Sequence, residues 1–155
     1  MALRTIVSGG QTGADRGALD AAIDLGLEHG GHCPAGRRAE DGRIPDRYHL
    51  VETASPEYGV RTERNVVESH GTLLFTRGPA SGGSALTAAA AIRHGRPLLH
   101  IDLDEPGDVD GWSAAIREWL AASRIEIVNV AGPRESRCPG ITHDVRELLR
   151  HVLRT

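Results

Sequence analysis

Thr5-Ile6-Val7-Ser8-Gly9-Gly10-Gln11-Thr12-Gly13-Ala14-Asp15 decides the fold of this chain: a β-branched run ends in a glycine-rich turn that opens an apolar-periodic helix. Leu19, Ala22, Ile23 and Gly26 recur at helical spacing after the turn, so strand, turn and helix follow one another directly. The first N–H groups of a helix lack intrahelical partners and carry the positive end of its macrodipole. Glycines beside them let a ligand approach the backbone. The turn is therefore expected to attract a phosphate-like anion, and a Cβ branch at Gly13 is expected to block that anion while sparing the fold. Gln11, Thr12, Asp15 and Arg16 carry side chains able to bond a phosphate, a ribose hydroxyl or a base edge. Asp15 also suits a plain first-turn carboxylate that answers the helix dipole.

The same form recurs along the chain. Thr72-Leu73-Leu74-Phe75-Thr76 reads as a buried strand, followed by Gly78-Pro79-Ala80-Ser81-Gly82-Gly83-Ser84 and an alanine-rich helix from Ala85 to about Arg93. Pro97 to Ile101 is a further strand, and Trp112, Ala115, Ile116, Trp119 and Leu120 mark one core-facing helix stripe. Ile125 to Val130 is the last strand, ending in Gly132-Pro133-Arg134-Glu135, and Val145, Leu148, Leu149, Val152 and Leu153 stripe the final helix. Between the first and second units, Ala35 to Pro45 reads as a long loop, Tyr48 to Val51 as a weak strand and Val60 to Ser69 as a polar helix.

Strands alternating with helices predict an α/β, Rossmann-like doubly wound parallel sheet in three layers, as a single domain over residues 1–155. With a strand order of the 3-2-1-4-5 kind, the turns at Gly9 to Gly13 and Gly78 to Ser84 would flank the switch point where such sheets bind ligands. Arg61 and Asn65 lie one helical turn apart, and Arg134 follows the last strand, so both arginines are candidates to clamp an anion. Glu63 and Glu68 offer the arginines of that helix an ordinary surface pairing instead.

Composition closes other routes. All 18 basic residues are arginine, so no lysine exists for a Schiff base or a lysine-completed P-loop. A net charge of −3 and five aromatic residues leave neither a nucleic-acid footprint nor a base-stacking platform. No signal-peptide core or long apolar segment occurs, which predicts a cytoplasmic protein that does not bind membranes. The eight histidines show no ligand spacing and the two cysteines, Cys33 and Cys138, no C-x-x-C pair, so no metal site is expected and each cysteine reads as a packed residue. No G-x-S-x-G elbow supports nucleophilic catalysis and no catalytic residue is assigned.

Gly9-Gly10-Gln11-Thr12-Gly13-Ala14-Asp15-Arg16, Tyr58-x-x-Arg61-Thr62-x-x-Asn65, Gly71-Thr72-Leu73-Leu74-Phe75, Ser81-Gly82-Gly83-Ser84-x-x-Thr87 and Gly132-Pro133-Arg134 together resemble the molybdenum carrier family. The match runs from Gly9 to Ile141. The resemblance implies a Rossmann-like fold, a homo-oligomer that is often a tetramer, and binding of molybdenum cofactor, with molybdoenzymes as recipients. The turns and this resemblance together make Gly9, Gly10, Gln11, Thr12, Gly13, Asp15, Arg16, Arg61, Asn65, Gly78, Ser81, Gly82, Gly83, Ser84, Thr87, Gly132 and Arg134 the candidate ligand-binding residues. The resemblance also places the chain near the cytokinin-activating phosphoribohydrolases, making a nucleotide hydrolase or nucleotide-ligand sensor the alternative. Two departures stand out. His70 replaces a usual aspartate, and Ser81 to Thr87 keeps the glycine pair of the hydrolase signature without its glutamate, which Ala90 does not replace.

Overall fold

The computed structural model describes residues 2–154. Its elements in chain order are β1 (Thr5–Val7), α1 (Ala14–Leu25), β2 (Glu28–Gly30), β3 (His32–Cys33), β4 (Arg38–Ala39), β5 (Gly42–Arg43), β6 (Val51–Glu52), α2 (Tyr58–Val67), β7 (Gly71–Thr76), α3 (Gly82–Arg93), β8 (Leu98–Asp102), α4 (Val109–Ala122), β9 (Ile127–Ala131) and α5 (Ile141–Leu153). Five strands form a wholly parallel sheet in the order β2-β1-β9-β7-β8. All six residues of β7 are buried, as a strand covered on both faces requires.

Helices α1, α4 and α5 pack together on one face, and α2 packs with α3 on the other, which gives the expected three-layer Rossmann-like domain. Crossovers that step towards β2 use the first layer and the step from β7 to β8 uses the second, so each is right-handed in the same sense. The main core lies beneath α1, α4 and α5, built from Ile6, Phe75, Ile116, Val130, Val145 and Leu149 among others. Trp112 and Trp119 pack against it half-buried, Ala115 is exposed, and Ile23 of α1 turns outwards.

The strand order corrects the one read from the sequence. Counting only the strands of this sheet by chain position, the order is 2-1-5-3-4, because the last strand enters between the first and the third. The turn after β9 therefore stands between the two glycine-rich turns that were expected to face each other. Ala35 to Pro45 is not a plain loop: β4 and β5 form a hairpin within it. Nor does a strand span Tyr48 to Val51; β6 covers Val51–Glu52 and pairs with β3, while Tyr48 is buried in a small cluster with Leu19, Cys33 and Ile44.

Candidate functional site

In the first glycine-rich turn the N–H groups of Gly10, Gln11, Thr12 and Ala14 are engaged inside the protein, whereas those of Gly9 and Gly13 meet no acceptor among the described residues. The N–H of Gln11 donates to an Asp15 carboxylate oxygen at 3.2 Å, that of Thr12 to Gln11 Oε1 at 3.1 Å, and that of Ala14 to the Pro133 carbonyl at 3.1 Å. Asp15, only 3% exposed, is thus the anion that answers the positive end of α1. Arg61 donates to it at 3.2 Å. Burial pushes the Asp15 carboxyl above its ordinary value of 3.8, and Arg61 and the Gln11 N–H pull against that shift.

Several residues proposed from the sequence serve this scaffold. A Cβ on Gly9 would lie 1.6 Å from Arg61 Nη1, so the guanidinium rests on bare backbone there. At Gly13, with φ 88°, a Cβ would stand 2.2 Å from the Pro133 carbonyl. Gly13 lets the first and third turns touch, so a branched residue there would separate them and disturb the fold, contrary to the expectation of a purely ligand-blocking change. Gly10 packs under Ile44 and Leu50. Arg16 donates to the Gly10 carbonyl at 3.0 Å and bidentately to Asp41 at 2.6 and 2.8 Å, which holds down the β4–β5 hairpin. Thr12 donates to Glu40 and accepts from the Glu135 N–H at 3.2 Å; Glu40 also accepts from the N–H and hydroxyl of Ser136. The Asn65 amide is taken up by the segment after β2, accepting from the His32 N–H at 2.7 Å and donating to the His32 carbonyl at 3.0 Å. Gly78 donates its N–H to Asp102 at 2.8 Å.

What remains forms a crevice of about 670 Å³ at the carboxyl edge of β1, β9 and β7. Gln11, Asp15 and Arg61 line one side and Gly132 and Arg134 the back. Ser81, Gly82, Gly83, Ser84 and Thr87 form the opposite wall. That wall is the start of α3, whose N-cap Ser81 makes no side-chain cap. Among the described residues the N–H groups of Gly82 and Gly83 meet no acceptor, while Thr87 bonds back to the Gly83 carbonyl at 3.0 Å.

Tyr58, Thr76, Arg77, Arg137 and Cys138 also line the crevice and were not singled out as site residues from the sequence. Arg77 was findable, because it follows β7 as Arg134 follows β9. The ring of Tyr58 lies under two guanidinium groups, with Cζ of Arg61 at 5.8 Å and of Arg134 at 5.9 Å from its centroid. Four arginines thus border the crevice against one lining carboxylate, Asp15. Arg61 is paired with Asp15 and Arg77 with Asp104 and Asp144. Arg134 and Arg137 form no ion pair among the described residues. Burial raises the thiols of Cys138 and Cys33 above their ordinary value of 9.0, so both are held as thiols. His70 precedes β7 at the amino edge, far from the crevice, where its Nδ1 accepts from the N–H groups of Glu126 and Ile127 at 3.1 and 3.0 Å.

An open parallel sheet with a polar crevice beyond its central strands defines a Rossmann-like ligand-binding domain. The chain belongs to the circularly permutated YpsA SLOG family, whose model matches residues 6–153. It is similar, at 44% identity and a TM-score of 0.96, to the crystal structure of "Putative molybdenum carrier protein" from Syntrophus aciditrophicus SB, over 98% of this chain and 96% of that one. No curated protein matches the sequence. The resemblance to the molybdenum carrier family therefore stands. Permutation also explains the sheet: with β9 and α5 counted first, the observed order becomes 3-2-1-4-5.

Proposed function

We propose that this protein is a binding or carrier protein for molybdenum cofactor or a related phosphorylated pterin or nucleotide-like ligand. The observation that carries the reading is that Arg134 and Arg137, which form no ion pair among the described residues, line the same crevice as the unengaged N–H groups of Gly82 and Gly83. Cations and helix-start amides lining one crevice suit a phosphate, and the Tyr58 ring beside them suits a flat heterocycle. Among the described residues no three His, Cys, Asp or Glu side chains gather to hold a metal ion, so molybdenum would enter as part of the cargo, gripped through its phosphate and ring. Gln11, Asp15, Arg61, Ser81, Ser84, Thr87 and Gly132 shape the crevice around those contacts. A cytoplasmic homotetramer delivering to molybdoenzymes completes the proposal. No helix among the described residues is long and apolar enough to cross a membrane.

The hydrolase alternative lacks a general acid or base: the one lining carboxylate, Asp15, is buried and paired with Arg61. Mass spectrometry of small molecules co-purifying with the native protein, followed by calorimetric titration of molybdenum cofactor and of AMP, tests the proposal. Binding that weakens at least about tenfold in Arg134→Ala supports it, since a sheltered charge-assisted contact contributes roughly 1.5–3 kcal/mol. Unchanged affinity in that variant, or turnover of AMP that scales with protein, overturns it.

A further inference from the structure

Gln11 is 7% exposed, and its side-chain amide is engaged on one side only. The amide oxygen accepts the N–H of Thr12 at 3.1 Å and that of Glu40 at 2.9 Å. Two backbone donors converging on one atom identify it as the oxygen, which fixes the way the amide points. Its Nε2 carries two N–H donors and meets no acceptor among the described residues. Asp15 is arranged alike: Oδ2 takes both the Gln11 N–H and Arg61, at 3.2 Å each, whereas Oδ1 meets no donor among the described residues. The fully enclosed side-chain atoms without a partner there are Arg61 Nε, Ser113 Oγ and Arg150 Nε. Gln11 Nε2 and Asp15 Oδ1 therefore meet open space, and for these two buried residues that space is the crevice they line.

An unused donor and an unused carboxylate oxygen thus belong to neighbouring residues, tied together by the Gln11 N–H on the same carboxylate. Buried polar groups of this kind favour a ligand that completes their hydrogen bonds and reject one that cannot. This side of the crevice also holds its one lining carboxylate, which repels a phosphate, so the anion belongs with Arg134, Arg137 and the start of α3. The uncharged heterocycle of the ligand is left for Gln11 and Asp15. We infer that these two residues read a lactam edge, a ring carbonyl beside a ring N–H, with Gln11 Nε2 donating to the carbonyl and Asp15 Oδ1 accepting from the N–H. Guanine, hypoxanthine and the oxo-pterins carry that edge. Adenine carries its inverse, an amino donor in place of the carbonyl and a bare nitrogen in place of the N–H. An N–H on Oδ1 also returns to Asp15 part of the solvation that burial withholds. The inference rests on the binding function proposed above and narrows its ligands to oxo-heterocycles.

The probes are GMP, AMP and GMP methylated on the ring nitrogen of the lactam, titrated calorimetrically into the whole protein. GMP is expected to bind at least about tenfold more tightly than AMP, and the methylated nucleotide no better than AMP, because each mismatch leaves a buried group unpaired. Gln11→Glu keeps an oxygen for the Thr12 and Glu40 N–H groups but replaces the unused donors with an acceptor. In that variant the preference for GMP is expected to vanish or invert. The methylated nucleotide tests Asp15 without altering the protein, so the test stands even if Gln11→Glu fails to fold. Equal affinity of the parent for GMP and AMP, full affinity for the methylated nucleotide, or an unchanged preference in folded Gln11→Glu overturns the inference. Arg134→Ala separates its failure from that of the binding function. If that variant weakens GMP and AMP alike while the parent holds them equally, the crevice binds phosphate and only the lactam inference falls. If neither nucleotide binds the parent at millimolar concentration, both fall.

Discussion

Arg61 lines the crevice, yet its charge belongs to Asp15. Removing it leaves a carboxylate at 3% exposure without its cation, a class of change that costs about 3–5 kcal/mol when the charge must stay ionised. Because burial already raises the Asp15 pKa, protonation offers a relief, and the expected loss falls towards the lower end. Thermal melting should therefore separate the two arginines that sequence spacing treated alike: Arg61→Ala melts earlier, whereas Arg134→Ala melts as the parent and loses ligand affinity. Equal melting of both variants with the parent would show that the pair does not hold the first turn. Which residues could bear charge was legible in the sequence; which of those charges were already matched was not. Arg16 meets Asp41 and Asn65 meets His32 across 25 and 33 residues, and spacing along one helix carries no trace of such partners.

At the scale of elements, α1 lies against α5 through small residues, and Gly17 is the tightest point. A Cβ there would sit 2.5 Å from the Thr142 carbonyl. In a free helix Gly→Ala gains about 1 kcal/mol, so a loss of thermal stability in Gly17→Ala would show packing overriding propensity. A higher melting temperature would mean that the two helices part easily. The β4–β5 hairpin makes a second case, because Glu40 and Asp41 tie it to Thr12, Ser136 and Arg16. Hydrogen bonds from Ser136 and Thr12 hold Glu40 below its ordinary 4.5 despite partial desolvation, and Arg16 holds Asp41 below 3.8. A lowered carboxylate pKa contributes stability that is full above the ordinary value and is lost as pH falls through the folded one. Hydrogen exchange in residues 36–43 should thus accelerate below about pH 4 before the sheet opens, whereas Asp15, shifted the other way, gives no help to that release. Uniform exchange across hairpin and sheet would contradict this. The long strands and helices could be read from apolar periodicity; the hairpin could not, because two-residue strands held by side-chain ties have no period to read.

The whole molecule is a doubly wound sheet entered at an unusual point. Doubly wound alternation was visible in the sequence, whereas the insertion of β9 between β1 and β7 was not, since parallel strands of similar composition can trade places without altering any local pattern. A permutant that joins residue 154 to residue 2 by a flexible linker and opens between Ser123 and Arg124 would run its strands in the order 3-2-1-4-5. It is expected to fold with unchanged far-ultraviolet dichroism and to keep the affinity of the crevice, because the new opening falls between α4 and β9 at the amino edge. Loss of cooperative melting would show that chain order, and not only contact geometry, specifies the sheet. Strand β1 starts at that same edge, and α5, running back along β9, returns the chain to it. The domain is consequently polar, like a cup held by its base: a bead, a fused domain or a scaffold attached at either end leaves the mouth facing outwards, and a row of copies strung in this way would present every mouth to the same solution.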